Sequence, residues 1–205
     1  MAHKKVSLNK SEIECLVEEM ISKKKTIKIN VYRLVIHNQR VNAIEYKSLI
    51  NLIMFSLNTR RELVKRFLIK LFKNSPIMTI DGIEIHMSER SASKVSRLTY
   101  NNQQEIALYS DNLIQIATYK ITEKSRKEKV GVFRYYDSFI FIEGILFKAE
   151  LNIFIDANGS RLYDINKISQ VDARSYEGYG SSEIVYILDD SNQKVNLLKA
   201  EKKTR

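Results

Sequence analysis

Along the first seventy-odd residues the apolar positions recur with a helical period. Asn9 followed three residues later by Glu12 forms a capping-box signature, and Ile13, Leu16, Val17, Met20 and Ile21 then share one stripe, predicting a first helix. From Ile27 to Val41 the pattern is ambiguous: Ile27, Ile29 and Val31 alternate like a strand, whereas Leu34, Val35 and Ile36 fit either period, and the run is taken as helix. Asn42 to Leu57 is apolar almost all round, which predicts a central, buried helix. Thr59 with Glu62 repeats the capping signature and opens a helix with Leu63, Val64, Phe67, Leu68, Leu71 and Phe72 on one side. Arg60, Arg61, Lys65, Arg66, Lys70 and Lys73 occupy the rest of it.

The texture changes at Pro76, the only proline; the first glycine follows at Gly82. Ile77–Ile80 and Ile83–Ile85 flank Asp81-Gly82, a dipeptide suited to a type I′ hairpin turn. Ser88 predicts a cap for a short helix over Ser91–Arg97, Ser110 a cap for one carrying Leu113, Ile114 and Ala117, and Thr122–Lys129 reads as an exposed charged loop. The clearest strand runs from Ile145 to Asp156, where Ile145, Phe147, Ala149, Leu151, Ile153 and Ile155 alternate with polar residues. Gly144 marks the turn from a strand at Phe139–Ile142, and Asn158-Gly159 the turn into Arg161–Ile165, giving an antiparallel meander. A last strand is expected near Ile184–Leu188, after a Tyr- and Gly-bearing loop at Tyr176–Ser182, and residues 199–205 read as a frayed, disordered tail. The predicted class is α+β, with a basic helical region over residues 1–75 and a domain of short helices and an antiparallel meander over 76–198.

Charge sharpens that division. The net charge is +10, yet residues 76–205 hold 18 basic against 18 acidic residues, while residues 1–75 hold 16 against 6. The whole excess is N-terminal. A field of that sign suits nucleic acid, an anionic membrane or an acidic protein. The helix bearing Arg60, Arg61, Lys65, Arg66 and Lys70 is the candidate phosphate-facing surface, although the same pattern fits a helix packed on its apolar side with its lysines in water. No stretch approaches the roughly 20 apolar residues of a membrane span, and no signal peptide is visible, so the expected location is cytoplasmic. Cys15, the single cysteine, falls at an apolar-periodic position and is expected to be buried.

No glycine-rich phosphate loop, paired-histidine metal spacing or nucleophile elbow occurs, and no cofactor or metal is implied. With three histidines in the chain, only His86 lies beyond residue 76, ahead of a segment in which Arg90, Lys94 and Arg97 fall together at helical spacing. A histidine amid cationic donors suits phosphoryl transfer; a histidine on an edge strand beside a solvated helix fits as well. A second group, Arg134, Tyr135 and Tyr136 with Tyr163 and Asp164, offers aromatic rings for stacking and arginine for phosphate, the needs of single-stranded RNA, and equally the half-buried tyrosines of a sheet.

The run FRYYDSFIFIEGILFKAELNIFIDANGSRLYDINKI, Phe133 to Ile168, resembles the C-terminal half of the nuclease-like domains of phage and mobile-element polyvalent and MuF-type proteins, in the barnase, EndoU, colicin and RelE-like (BECR) group. IEIHMSERSASKVSR, Ile83 to Arg97, is similar to the strand and Ser/Lys-bearing helix that begin such domains. The resemblance spans about residues 77–170. It implies metal-independent RNA cleavage with His86 as proton-transfer group, Lys94 and Arg134 as cationic stabilisers and Tyr163 orienting substrate. The second histidine of many active relatives is missing, which leaves room for a degenerate RNA-binding descendant. A different class stays open: a non-enzymatic phage-type inhibitor acting against defence by binding a host protein or nucleoprotein complex. Nothing in the pattern sets an oligomeric state.

Overall fold

In the computed structural model, which describes residues 5–36, 39–73, 76–98, 101–125, 130–171, 186–188 and 194–196, the capping box at Asn9 closes as its sequence predicts. The Glu12 N–H donates to Asn9 Oδ1 at 3.0 Å and the Asn9 N–H to Glu12 Oε2 at 2.7 Å, opening α1 (Lys10–Thr26). Its buried stripe is Ile13, Val17, Met20 and Lys24. Cys15 lies roughly 200° around the helix from Ile13 and is exposed, not buried as expected.

The helices expected over Ile27–Val41 and Asn42–Leu57 do not form. The alternating, β-branched start of that segment prevails, and the chain makes an antiparallel hairpin of β1 (Val31–Ile36) and β2 (Gln39–Glu45). The all-round apolar character has another cause than a buried helix. Val41 and Ala43 fill a small core on one sheet face, whereas Ile44, Leu49, Leu52 and Phe55 plug the main core on the other. Beyond Glu45 the chain is irregular, with one 3₁₀ turn at Leu52–Met54. Then α2 (Leu57–Lys73) begins one turn earlier than the Thr59 signature suggested: Ser56 Oγ accepts the Thr59 N–H at 3.4 Å, and Thr59 itself is buried.

Past Pro76, β3 (Ile77–Met78) and β4 (Glu84–His86) pair across the expected hairpin. Its loop is Ile80–Gly82 with only Gly82 at positive φ, so it is a three-residue loop and not the two-residue type I′ turn, which needs positive φ at Asp81 as well. Ser88 caps α3 (Glu89–Val95) through the Ser91 N–H. An unexpected α4 (Asn101–Ala107) precedes α5 (Ser110–Ile116). Ser110 does not cap α5; its hydroxyl donates back to the Ala107 carbonyl at 2.7 Å. Of the stretch Thr122–Lys129 taken for an exposed loop, Thr122–Lys124 is instead the end of β5 (Thr118–Lys124), an exposed strand whose polarity suits an edge, and residues 126–129 lie outside the described residues.

The meander follows as β6 (Gly131–Ile142), β7 (Ile145–Asp156) and β8 (Gly159–Gln170). The turn between the first two, Glu143-Gly144, has positive φ at both residues, the type I′ geometry. With β9 (Tyr186–Leu188) and β10 (Lys194–Asn196), the described strands form one sheet in the order β10-β9-β1-β2-β6-β7-β8-β4-β3, with β5 on the other half of β6. The loop expected at Tyr176–Ser182 and the tail lie outside the described residues. The class is α+β with an antiparallel-rich sheet, as predicted, and the pairings β2–β6 and β4–β8 are parallel. Among the described residues, no helix is long and apolar enough to cross a membrane.

One continuous core crosses residue 76. Ile13, Val17 and Met20 of α1 and Leu63, Val64, Phe67 and Leu68 of α2 pack in the same cluster as Ile85, Ala92, Tyr136, Leu151 and Leu162. Behind α5, the buried Tyr109 hydroxyl donates to the Lys47 carbonyl at 2.5 Å and accepts the Lys47 N–H at 3.2 Å. Burial pushes this phenol up to about 12. A raised folded-state pKa means stability that is whole below the unfolded value near 10 and is lost as the pH climbs towards 12. Tyr109→Phe is therefore expected to cost about 1–3 kcal/mol at pH 7, for the backbone groups left unpaired, and to make denaturation curves between pH 10 and 12 flatter than those of the unaltered chain.

Candidate functional site

Between α3 and the meander lies a cleft of about 840 Å³. Its floor follows from strand register. The row Glu123–Phe133–Phe154–Arg161 crosses β5, β6, β7 and β8 in paired positions, so all four side chains stand on one sheet face. In β8 the pairing shifts between Leu162 and Asp164, leaving Tyr163 as an extra, bulged residue. Tyr163, two residues from Arg161, lies on the same face, its ring 5.2 Å from Phe133 and 6.4 Å from Phe154. Tyr135, two residues along β6, extends this aromatic surface.

The walls are cationic. On one side α3 buries Ala92 and Val95 in the main core and turns Arg90, Lys94 and, just past its end, Arg97 to the cleft. On the other side stands Lys124 at the end of β5. Lys94 Nζ lies 2.8 Å from Asp164 Oδ2 and 3.9 Å above the Tyr163 ring. Arg161 is held at 2.6 Å by Asp156 and lies over the Phe154 ring at 4.8 Å. Arg90, Arg97 and Lys124 are exposed and form no ion pair with another described residue. Among the described residues, Glu123 is the only carboxylate of the lining, and the Tyr135 hydroxyl donates to it at 3.2 Å. Ser88 and Ser91, linked at 2.9 Å, add hydroxyls at the N-terminal end of α3.

Of the residues singled out in the sequence, the cleft gathers Arg90, Lys94, Arg97, Tyr135 and Tyr163. His86 is paired in register with Arg161, one strand beyond the lining, where it is exposed and 3.1 Å from Glu84. Arg134 and Tyr136 stand on the opposite sheet face from Tyr135, because successive strand residues alternate. There Arg134 lies 3.1 Å from Asp81, and the buried Tyr136 hydroxyl donates to the same carboxylate, pinning the β3–β4 hairpin to β6. The basic face of α2 is also elsewhere. Arg60 is buried, Arg66 pairs with Glu62 and Glu14, and Lys70 pairs with Glu18, while Arg61 and Lys65 are half-buried. Two cations of α2, Arg66 and Lys70, thus meet the acidic side of α1. Phe133, Phe154, Arg161, Glu123 and Lys124 were not singled out in the sequence, although the two turns at Gly144 and Asn158-Gly159 set the register that aligns the first three.

Among the described residues no group of three or more histidine, cysteine or acidic side chains could hold a metal ion. Comparison with known protein families, with curated proteins and with solved structures gives no match to this chain.

Proposed function

We propose that the protein binds single-stranded RNA in the cleft between α3 and the meander. The observation that carries this reading is the pairing of an aromatic floor, Phe133, Tyr135, Phe154 and Tyr163, with walls bearing Arg90, Arg97 and Lys124. Rings of that kind accept unstacked bases, and exposed cations that form no ion pair with another described residue take phosphates at little desolvation cost. A duplex, its bases already stacked, has no use for such a floor. The geometry supports binding more than cleavage: His86 stands outside the lining and Arg134 on the far face, so the four residues nominated for catalysis do not converge on one phosphate.

The test is fluorescence anisotropy of a labelled RNA ten-mer against the unaltered chain over a salt series. Three phosphate contacts predict a log–log salt slope of roughly −2, at about 0.7 per contact on single strands. Duplex RNA of the same length should bind at least about tenfold more weakly, for lack of stacking. Absence of salt-dependent RNA binding would overturn the reading in favour of a protein partner. RNA cleavage persisting in EDTA would add catalysis to it.

A further inference from the structure

The rings of the floor are not equally open, and Phe154, at 4% exposed, offers almost no surface of its own. On β6, Phe133 stands 4.9 Å from it, and Gly131 makes room for the ring: a Cβ there would meet Phe154 Cζ at 2.6 Å and the Ile155 carbonyl at 2.8 Å. Arg161 covers the ring, its guanidinium carbon 4.8 Å from the centroid. A base entering the cleft at this row therefore meets Arg161 before it meets Phe154.

Arg161 is also fixed in orientation. Its two terminal nitrogens donate to the two oxygens of Asp156, at 2.6 and 3.4 Å. Asp156, its side chain 14% exposed, accepts the Asn158 N–H at 2.9 Å as well, so it is anchored to the β7–β8 turn. Such a fork grips the guanidinium along its edge and leaves the two faces of the plane for stacking. One face is used on Phe154, and the side chain, 30% exposed, lines the cleft. A guanidinium plane receives an unstacked base much as an aromatic ring does. Lys94 over Tyr163 has no equivalent, because an ammonium is not planar. Arg161 is poorly suited to holding phosphate, since drawing it off would leave the nearly buried Asp156 carboxylate without this countercharge.

We infer that Arg161, seated on Phe154 and gripped by Asp156, is a base-stacking platform of the cleft and not one of its phosphate contacts. The inference rests on the RNA-binding reading and names a residue that gives it a preference for unpaired bases.

The experiment uses the full chain, the labelled RNA ten-mer and an abasic ten-mer of the same backbone, with a thermal melt of every variant. Arg161→Lys keeps the charge and a partner for Asp156 but loses the plane. It should weaken binding of the RNA about 5- to 100-fold and leave the abasic oligomer, the salt slope and the melting temperature unaffected. Arg161→Ala with Asp156→Asn removes the pair without stranding a charge, and should weaken the RNA by a similar factor, again sparing the abasic oligomer. Should Arg161→Lys fail to fold, the double variant decides alone. RNA binding kept in Arg161→Lys marks a contact made by charge only and overturns the assignment, as does equal loss of RNA and abasic oligomer in the double variant. If the unaltered chain binds no RNA, the underlying reading and this inference fall together; if it binds and these variants behave otherwise, only the inference falls.

Discussion

A fragment beginning at Pro76 is expected to show no cooperative thermal transition, although proline, glycine and charge patterns all change there. Removing residues 1–75 strips β2 from Phe139–Phe141 of β6 and α2 from α3. It also removes Leu63, Val64, Phe67 and Leu68, each with no exposed surface, from the cluster that holds Ile85, Ala92 and Leu162. At about 1.5–3 kcal/mol for each fully buried side chain, these four alone account for roughly 6–12 kcal/mol, comparable to the 5–15 kcal/mol by which a domain is stable. The fragment would expose their contact surface while carrying equal numbers of basic and acidic residues, a combination that favours precipitation. Calorimetry of residues 76–205 beside the full chain checks this. A sharp transition within about 10 °C of the parent would show that the meander stands alone.

The second large effect is expected at the contact between α1 and α5. Lys24 has a side chain only 6% exposed, lies 3.9 Å over the Tyr109 ring, and is neutralised by Asp111 at 2.8 Å, with Asn112 Oδ1 at 2.7 Å. Burial holds its pKa below the usual lysine value, and Asp111 offsets part of that depression. Asp111→Ala leaves the ammonium buried without its countercharge and should cost about 3–5 kcal/mol, which in a chain of this size lowers the melting temperature by roughly 10 °C. Lys24→Met leaves the Asp111 carboxylate, its side chain 15% exposed and its Oδ1 buried, without a countercharge and should cost a similar amount. The double variant should recover most of the loss. The pH dependence has a definite sign as well: the folded-state pKa of Lys24 falls further in Asp111→Ala, unfolding then takes up a proton, and the variant should regain stability as the pH rises towards 10.5. If the double variant is no more stable than the single variants, the pair is not a buried ionic lock.

The sequence carried the class, the meander, its two turns and the first capping box, because each is encoded within a few neighbouring residues. It misassigned residues 27–57 because a strand buried on both faces and a core-filling irregular segment are as apolar all round as a central helix; periodicity cannot separate them, and the partner strand lies beyond residue 130. At the site, Arg90, Lys94 and Arg97 were legible as a group since one short helix joins them. Arg134, Tyr135 and Tyr136 read as one cluster in the chain and are divided by the pleat, two of them serving the core. Phe133, Phe154 and Arg161 form a row only once strand register is known. The role of Glu14 and Glu18 in taking up the charge of Arg66 and Lys70 depends on how two helices dock, which neither helix encodes alone.

The parallel pairing of β2 with β6 also bears on how the molecule comes into being. Antiparallel neighbours in the meander can zip as soon as their tight turns exist, but Ala43–Glu45 must wait for Phe139–Phe141. Closing so long a loop delays the rewarding contacts, so the step that joins the hairpin to the meander should dominate the folding time. On the ribosome, at roughly 5–20 residues added per second, the outer edge of β2 stands unpaired for several seconds, with Ile44 and the apolar run behind it uncovered. Aggregation during synthesis, and any chaperone that prevents it, should therefore act on residues 39–57 rather than on the late-made meander.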